Sequence, residues 1–174
     1  MSTGIRLHVG CGRQYMEGWT NVDIVVNPQW KAPDIVAPAW DIPLPDKSVA
    51  ELLSVHSFEH FYRWECDTVL AEWRRLMLPR ALLVLEMPDL LKFCKNVLEG
   101  RGGKHPDQLG LWGMYGDPRD RDPFMAHHWG WTFTTLAAFL EANGFADCVE
   151  EPTQWHASGK EHRDFRLTAR RTGK

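Results

Sequence analysis

The stretch from Leu7 to Asp23, LHVGCGRQYMEGWTNVD, constrains the fold more than any other part of the chain. A short apolar run, Ile5 to Val9, breaks at Gly10-Cys11-Gly12, and a second run beginning near Trp19 ends on the acidic Asp23. A strand that stops at a glycine-rich bend, with a carboxylate at the tip of the next strand, is the layout of a nucleotide-type cofactor site in a parallel α/β sheet. Gly10 and Gly12 allow a sharp turn and close approach to a ligand, and Asp23 can accept hydrogen bonds from ribose hydroxyls. Two glycines around a cysteine also close ordinary turns, so the bend alone decides nothing.

The spacing inside the stretch says more. About ten residues separate the two strands, whereas a parallel crossover normally takes a dozen or more and contains a helix. Ten extended residues reach about 33 Å. The return trip is one strand of about 17 Å and one sheet spacing of about 5 Å. A bare loop can therefore make the connection, and the usual first helix is expected to be missing or reduced to a turn.

Further along, Asp34 to Ala37 reads as a short edge strand. Trp40 to Lys47 must be a loop, because Pro43 and Pro45 forbid regular pairing. Val49 to Val55 suits a central strand buried on both faces. It delivers His56, Glu59 and His60 at its carboxyl end, where open α/β sheets hold their ligands. Cys66, Val69, Leu70, Trp73, Leu76 and Met77 then form one helical stripe over Glu65 to Leu78, and Pro79 stops it. Ala81 to Met87 is the next strand and Leu90 to Leu98 the next helix. Residues 100–131, rich in Gly, Pro, Asp and aromatics, are too apolar for a linker and are expected to form a lid. Thr132 caps a helix over Phe133 to Asn143, with Gly144 at its left-handed exit. Phe145 to Glu150 and Asp164 to Ala169 are expected as a closing antiparallel hairpin.

At 174 residues the chain is expected to be one domain. A net charge of −3 gives no footprint for nucleic acid or an anionic membrane. The sequence shows neither a spanning apolar stretch nor a leader pattern. Four scattered cysteines read as reduced thiols. These features together point to a cytoplasmic protein that binds neither nucleic acid nor membrane. Nine tryptophans are many for this length, and several cluster late in the chain.

As a set, the motifs resemble a small class I S-adenosylmethionine-dependent methyltransferase, of the compact subgroup in which a GCG bend is followed closely by GWxNVD. The matching pieces are Val9-Gly10-Cys11-Gly12, Gly18-Trp19-Thr20-Asn21-Val22-Asp23, Leu44-Pro45 with Ser48, His56-Ser57-Phe58-Glu59-His60, Pro88-Asp89, His127 with Trp129-Gly130, Gly144-Phe145 and Arg163-Asp164. The resemblance implies a Rossmann-like, mostly parallel sheet with helices on both faces and antiparallel C-terminal strands. It implies S-adenosylmethionine as cofactor, with Gly10, Cys11 and Gly12 at its methionine part, Asp23 at the ribose, Asp41 and Ile42 beside the adenine, and His56 nearby. Three positions depart from the family pattern. Ala50 replaces an Asp, Pro79-Arg80-Ala81 replaces PGG, and Pro38 stands where an acidic residue often meets adenine.

Methyl transfer from a sulfonium is an in-line displacement that mainly needs positioning and exclusion of water, with a general base only where the nucleophile must lose a proton. His127 is the leading candidate for a base or substrate-orienting group, followed by Asp89, with His56 at the mouth of the site. A dinucleotide is disfavoured, because its pyrophosphate needs a helix N-terminus behind the glycine bend. The expected acceptor is a small molecule reacting at O or N, with a saccharide or nucleotide-linked metabolite as the guess from fold analogy. Trp112, Tyr115, Trp129 and Trp131 would either stack on it or close a core. Two other readings stay open. One is a non-catalytic cofactor-binding relative. The other is a zinc hydrolase using His56, Glu59 and His60 as an inverted HxxEH motif, although no third carboxylate ligand is identifiable and no metal ligand is assigned.

Overall fold

The computed structural model describes residues 4–100, 111–117, 121–155 and 163–173. Seven strands form one sheet: β1 (Ile5–Val9), β2 (Thr20–Asp23), β3 (Ile35–Val36), β4 (Val49–Val55), β5 (Met77–Pro88), β6 (Phe145–Glu151) and β7 (Asp164–Arg171). Their order is β3-β2-β1-β4-β5-β7-β6. The first five run parallel, and β7 pairs antiparallel with both β5 and β6. The expected Rossmann-like sheet with an antiparallel C-terminal end is the one observed.

Helices α1 (Cys66–Leu76) and α4 (Phe133–Ala142) form where the periodicity placed them, with α2 (Leu90–Leu98) after β5 and the short α3 (Leu111–Tyr115) inside the expected lid. The buried residues of α1 are Cys66, Val69, Leu70, Trp73 and Leu76, one stripe. Trp73 is wholly enclosed, and its indole N–H donates to Ala39 C=O at 3.0 Å. Thr132 and Thr135 close a reciprocal capping box on α4. Strand β5 starts at Met77, earlier than expected, and its register with β4 shifts after Met77 before regular pairing resumes at Leu82. Pro79 is tolerated in this irregular stretch. Arg80, which stands in the PGG position, takes φ +66°, a conformation glycine adopts freely and arginine does not.

No helix joins β1 to β2, as the short spacing required. Asn21 does the helix's job. It is fully buried; its side-chain amide donates to Met16 C=O, Trp19 C=O and Asp34 Oδ2, and its Oδ1 accepts from Met16 N–H. Asp34 completes the clamp by accepting from Asn21 N–H and the Tyr15 hydroxyl, each at 2.7 Å.

The two sheet faces are unequally covered. Alternate residues Leu7, Val9, Leu52, Leu83, Leu85 and Leu167 join α1 and α4 in the main core. On the opposite face, Leu53, Val55 and Val84 form a small cluster with Met16, Trp19 and Trp155 packed against it.

Candidate active site

The glycine bend and Asp23 meet at the carboxyl end of the parallel strands. Gly10 and Cys11 N–H both donate to Val22 C=O, and Gly12 N–H donates to Asp23 Oδ2 at 2.6 Å. Val25 N–H occupies the other oxygen, Oδ1, at 2.8 Å. A carboxylate accepts about four hydrogen bonds, so Asp23 holds the bend while keeping capacity for ribose hydroxyls. Gly10 sits at φ +71°, and a Cβ there would collide with the Ser57 hydroxyl. Gly12 differs: a Cβ there would meet nothing within 4 Å. The bend therefore opens onto space in front of Asp23, which fits the group the motifs imply. The Cys11 side chain is buried, and burial with Asp23 nearby pushes its thiol up to about 12. It can offer a ligand only its backbone.

His56 follows β4 with a left-handed backbone, φ +48°, and donates its N–H to Glu86 C=O at 2.8 Å. Its ring lies between two buried carboxylates, with Nδ1 3.2 Å from Glu59 Oε1 and Nε2 3.5 Å from Asp164 Oδ2. Burial opposes charge on His56 and on Glu59, but their mutual pairing and the Asp164 contact prevail. The His56 pKa is raised to about 10 and that of Glu59 lowered to about 2. His56 is thus an imidazolium at neutral pH. With both ring nitrogens engaged, and Phe58–His60 forming a 3-10 turn instead of a helix, the inverted HxxEH arrangement does not form. This removes the observation that favoured a zinc hydrolase of that type.

The segment carrying His127 is stitched onto this turn. His128 and Trp129 N–H both donate to Glu59 C=O, at 2.9 and 3.2 Å. His127 Nδ1 lies 3.0 Å from Gly113 C=O on α3. Gly113 itself sits against the Phe93 ring of α2, too close for any Cβ. Burial holds the His127 pKa below its ordinary value, so this imidazole is neutral at pH 7. His60 stands edge-on to it, ring centroids 4.8 Å apart. Beside them, His128 stacks on Tyr62, which stacks in turn on Trp64.

Several expected site residues do other work. Asp89 is the N-cap of α2, its Oδ1 accepting from Leu91 and Lys92 N–H at 2.9 and 3.4 Å. Ile42, expected beside the adenine, is 1% exposed and packs in the main core. Its N–H donates to Glu72 and its C=O accepts from Arg75, so its position belongs to the α1 interface. Asp41 is exposed, with its N–H donating to Pro38 C=O. Ile24, directly after Asp23 and 44% exposed, supplies apolar surface at the β2 tip that the motif reading did not single out. Trp131 is a core residue against Phe58 and Phe139, whereas Trp129 and Tyr115 remain exposed. Of the expected lid, residues 101–110 and 118–120 lie outside the described residues.

A seven-stranded sheet in the order 3-2-1-4-5-7-6, with strand seven antiparallel, is the class I S-adenosylmethionine-dependent methyltransferase fold. Solved structures bear this out. A SAM-dependent methyltransferase from Archaeoglobus fulgidus superposes with a TM-score of 0.64 at 20% identity, covering 97% of this chain and 87% of that one. The 1,6-didemethyltoxoflavin-N1-methyltransferase of Burkholderia thailandensis, solved with 1,6-didemethyltoxoflavin and S-adenosylhomocysteine, gives a TM-score of 0.61 at 16% identity over 97% of this chain and 71% of that one. A possible histamine N-methyltransferase from Thermotoga maritima gives 0.65 at 13% identity, covering 99% and 84%. No protein-family model and no curated protein matches the sequence.

Proposed function

We propose that this chain is an S-adenosylmethionine-dependent methyltransferase acting on an oxygen or nitrogen nucleophile of a small molecule. The observation that carries the reading is the pairing of Gly12 N–H with Asp23 Oδ2 at the carboxyl end of β1 and β2, with open space before the bend. The backbone of Gly10 to Gly12 would hold the methionine part, Asp23 the ribose hydroxyls, and Ile24 an apolar side of the adenine. The cofactor supplies an electrophilic sulfonium methyl. The protein's share is alignment and exclusion of water. His56, already protonated, cannot take a proton from an acceptor; clamped by Glu59 and Asp164, it fixes the mouth of the site. His127, neutral and oriented by Gly113 C=O, would orient the acceptor or receive its proton.

Exposed Tyr115 and Trp129 flank this segment and offer flat surfaces to a saccharide or nucleotide-linked acceptor. The described parts of the expected lid, residues 111–117 and 121–131, would cover the acceptor within a single domain. The neighbours extend the comparison: one is named for methylation of a toxoflavin precursor, and another was solved with phosphomonomethylethanolamine. Four free cysteines, and the lack among the described residues of any helix long and apolar enough to cross a membrane, fit a cytoplasmic setting.

Calorimetric titration with S-adenosylhomocysteine tests the reading. Saturable binding that weakens in Asp23→Ala is expected, and no heat at millimolar ligand overturns it. Methyl transfer to a panel of sugars, nucleotide sugars and small amines then identifies the acceptor. Binding without transfer across the panel would favour a non-catalytic relative.

A further inference from the structure

Glu59, His60 and His127 come together beside the proposed acceptor site although the two histidines lie 67 positions apart in sequence. One ligand atom from each lies within 4.8 Å of the other two. Both imidazoles are preset for coordination. His60 Nδ1 is 3.0 Å from Ala126 C=O, and His127 Nδ1 is 3.0 Å from Gly113 C=O. A carbonyl only accepts, so Nδ1 carries the proton in each ring and the lone pair sits on Nε2. This is the outer hydrogen bond that metal-ligating histidines characteristically make.

The third member supplies an independent observation. Glu59 is 2% exposed. Its Oε1 pairs with His56 Nδ1 at 3.2 Å, but Oε2 is buried with no hydrogen-bond donor among the described residues. A buried carboxylate oxygen left without a partner is costly, and a cation answers that cost. The backbone keeps the group assembled, since His128 and Trp129 N–H both donate to Glu59 C=O.

We propose that Glu59, His60 and His127 form a binding site for a divalent first-row transition-metal ion, zinc or a close neighbour. Two imidazoles and one carboxylate suit such an ion and do not suit magnesium or calcium, which prefer all-oxygen sets. Ligand atoms about 2.0–2.2 Å from a tetrahedral ion stand about 3.4 Å apart, so small side-chain rotations close the set. Three protein ligands leave a position open for water or for an oxygen of the acceptor. The set is distinct from the HxxEH reading, because His56 is held by the two carboxylates and takes no part. A corollary rests on the methyltransferase reading: with its Nε2 bound to the ion, His127 would not take the acceptor's proton, and an acceptor hydroxyl bound to the ion would have its pKa lowered and would release its proton to solvent water.

The test uses tag-free, chelator-stripped protein without S-adenosylmethionine, titrated with Co2+ and followed by visible d–d absorption, with Zn2+ competition by calorimetry. One saturable ion per chain is expected, displaced by Zn2+ and weakened at least about tenfold in both His60→Ala and His127→Ala. The absence of a saturable site overturns the proposal, as does binding that is undiminished in either variant. Should His60→Ala fail to fold, Glu59→Gln replaces it under the same criterion. S-adenosylhomocysteine titration of the same samples separates the two claims. Metal binding without it sinks the methyltransferase reading alone, and the reverse result sinks the metal site alone.

Discussion

Glu59 and Glu86 make a natural comparison. Both are carboxylates at the carboxyl ends of neighbouring central strands, and both are buried, 2% and 0% exposed. Glu86 faces the lightly covered side of the sheet and has every need met: Trp155 N–H donates to Oε1, and Gln154 N–H and Arg166 Nη1 donate to Oε2, all within 3.0 Å. Glu59 has one imidazolium neighbour and, among the described residues, one oxygen with no donor. Satisfied buried charge ties strands and loops together. Buried charge left partly open marks a place built for something else.

The comparison can be broken most sharply by stability. Removing Glu86 strands Arg166 and two backbone donors, so Glu86→Ala should cost about 3–5 kcal/mol. Glu59→Gln should cost less, about 1.5–3 kcal/mol, because Asp164 still pairs His56. Denaturant unfolding of both variants reads the difference, and equal losses would erase the distinction. Asp23 lies between the two cases, each oxygen carrying one donor and keeping a lone pair. Asp23→Ala should therefore weaken S-adenosylhomocysteine binding by about 10-fold or more, corresponding to the 1.5–3 kcal/mol of charge-assisted hydrogen bonds.

pH gives a subtler separation. The folded pKa of Glu59, about 2, lies below its ordinary 4.5, so its contribution is complete above pH 4.5 and fades as pH falls towards 2. The folded pKa of His56, about 10, lies above its ordinary 6.5, so its contribution is complete below pH 6.5 and is lost as pH rises towards 10. Thermal melts across pH should show the alkaline limb disappear in His56→Gln. The smallest effect concerns Asp89. As a cap it resembles Glu86 in kind, so Asp89→Ala should cost about 1 kcal/mol. Asp89→Asn should keep both stability and turnover, whereas a large loss of turnover in Asp89→Asn would return it to the reacting centre.

How much of this could be read from the chain follows the range of each interaction. Gly12 and Asp23 lie 11 positions apart, and the distance arithmetic between their strands allowed the loop crossover that is seen. Helices α1 and α4 declared themselves by apolar period. The cap at Asp89 was also legible, since a carboxylate directly before a helix is the ordinary N-cap signal, but a family motif drew attention to it for another reason. Ile42 looked available to adenine because no local pattern shows that Glu72 and Arg75, about 30 residues on, take its backbone. The grouping of Glu59 with Asp164 and His127 depends on how β7 and the 121–131 segment return to the end of β4. Asn21 was visible only as part of a motif, its role as anchor depending on the loop it holds.

That anchor makes the crossover depend on the identity of one side-chain atom. The Asn21 amide nitrogen faces three acceptors, the carbonyls of Met16 and Trp19 and the carboxylate of Asp34. An Asn21→Asp replacement would exchange this donor for an anionic oxygen facing the same three acceptors, without changing the size of the side chain. Because the same loop leads from the glycine bend into β2, Asn21→Asp should loosen the proposed cofactor edge of the site, read as weaker S-adenosylhomocysteine binding than in the parent protein.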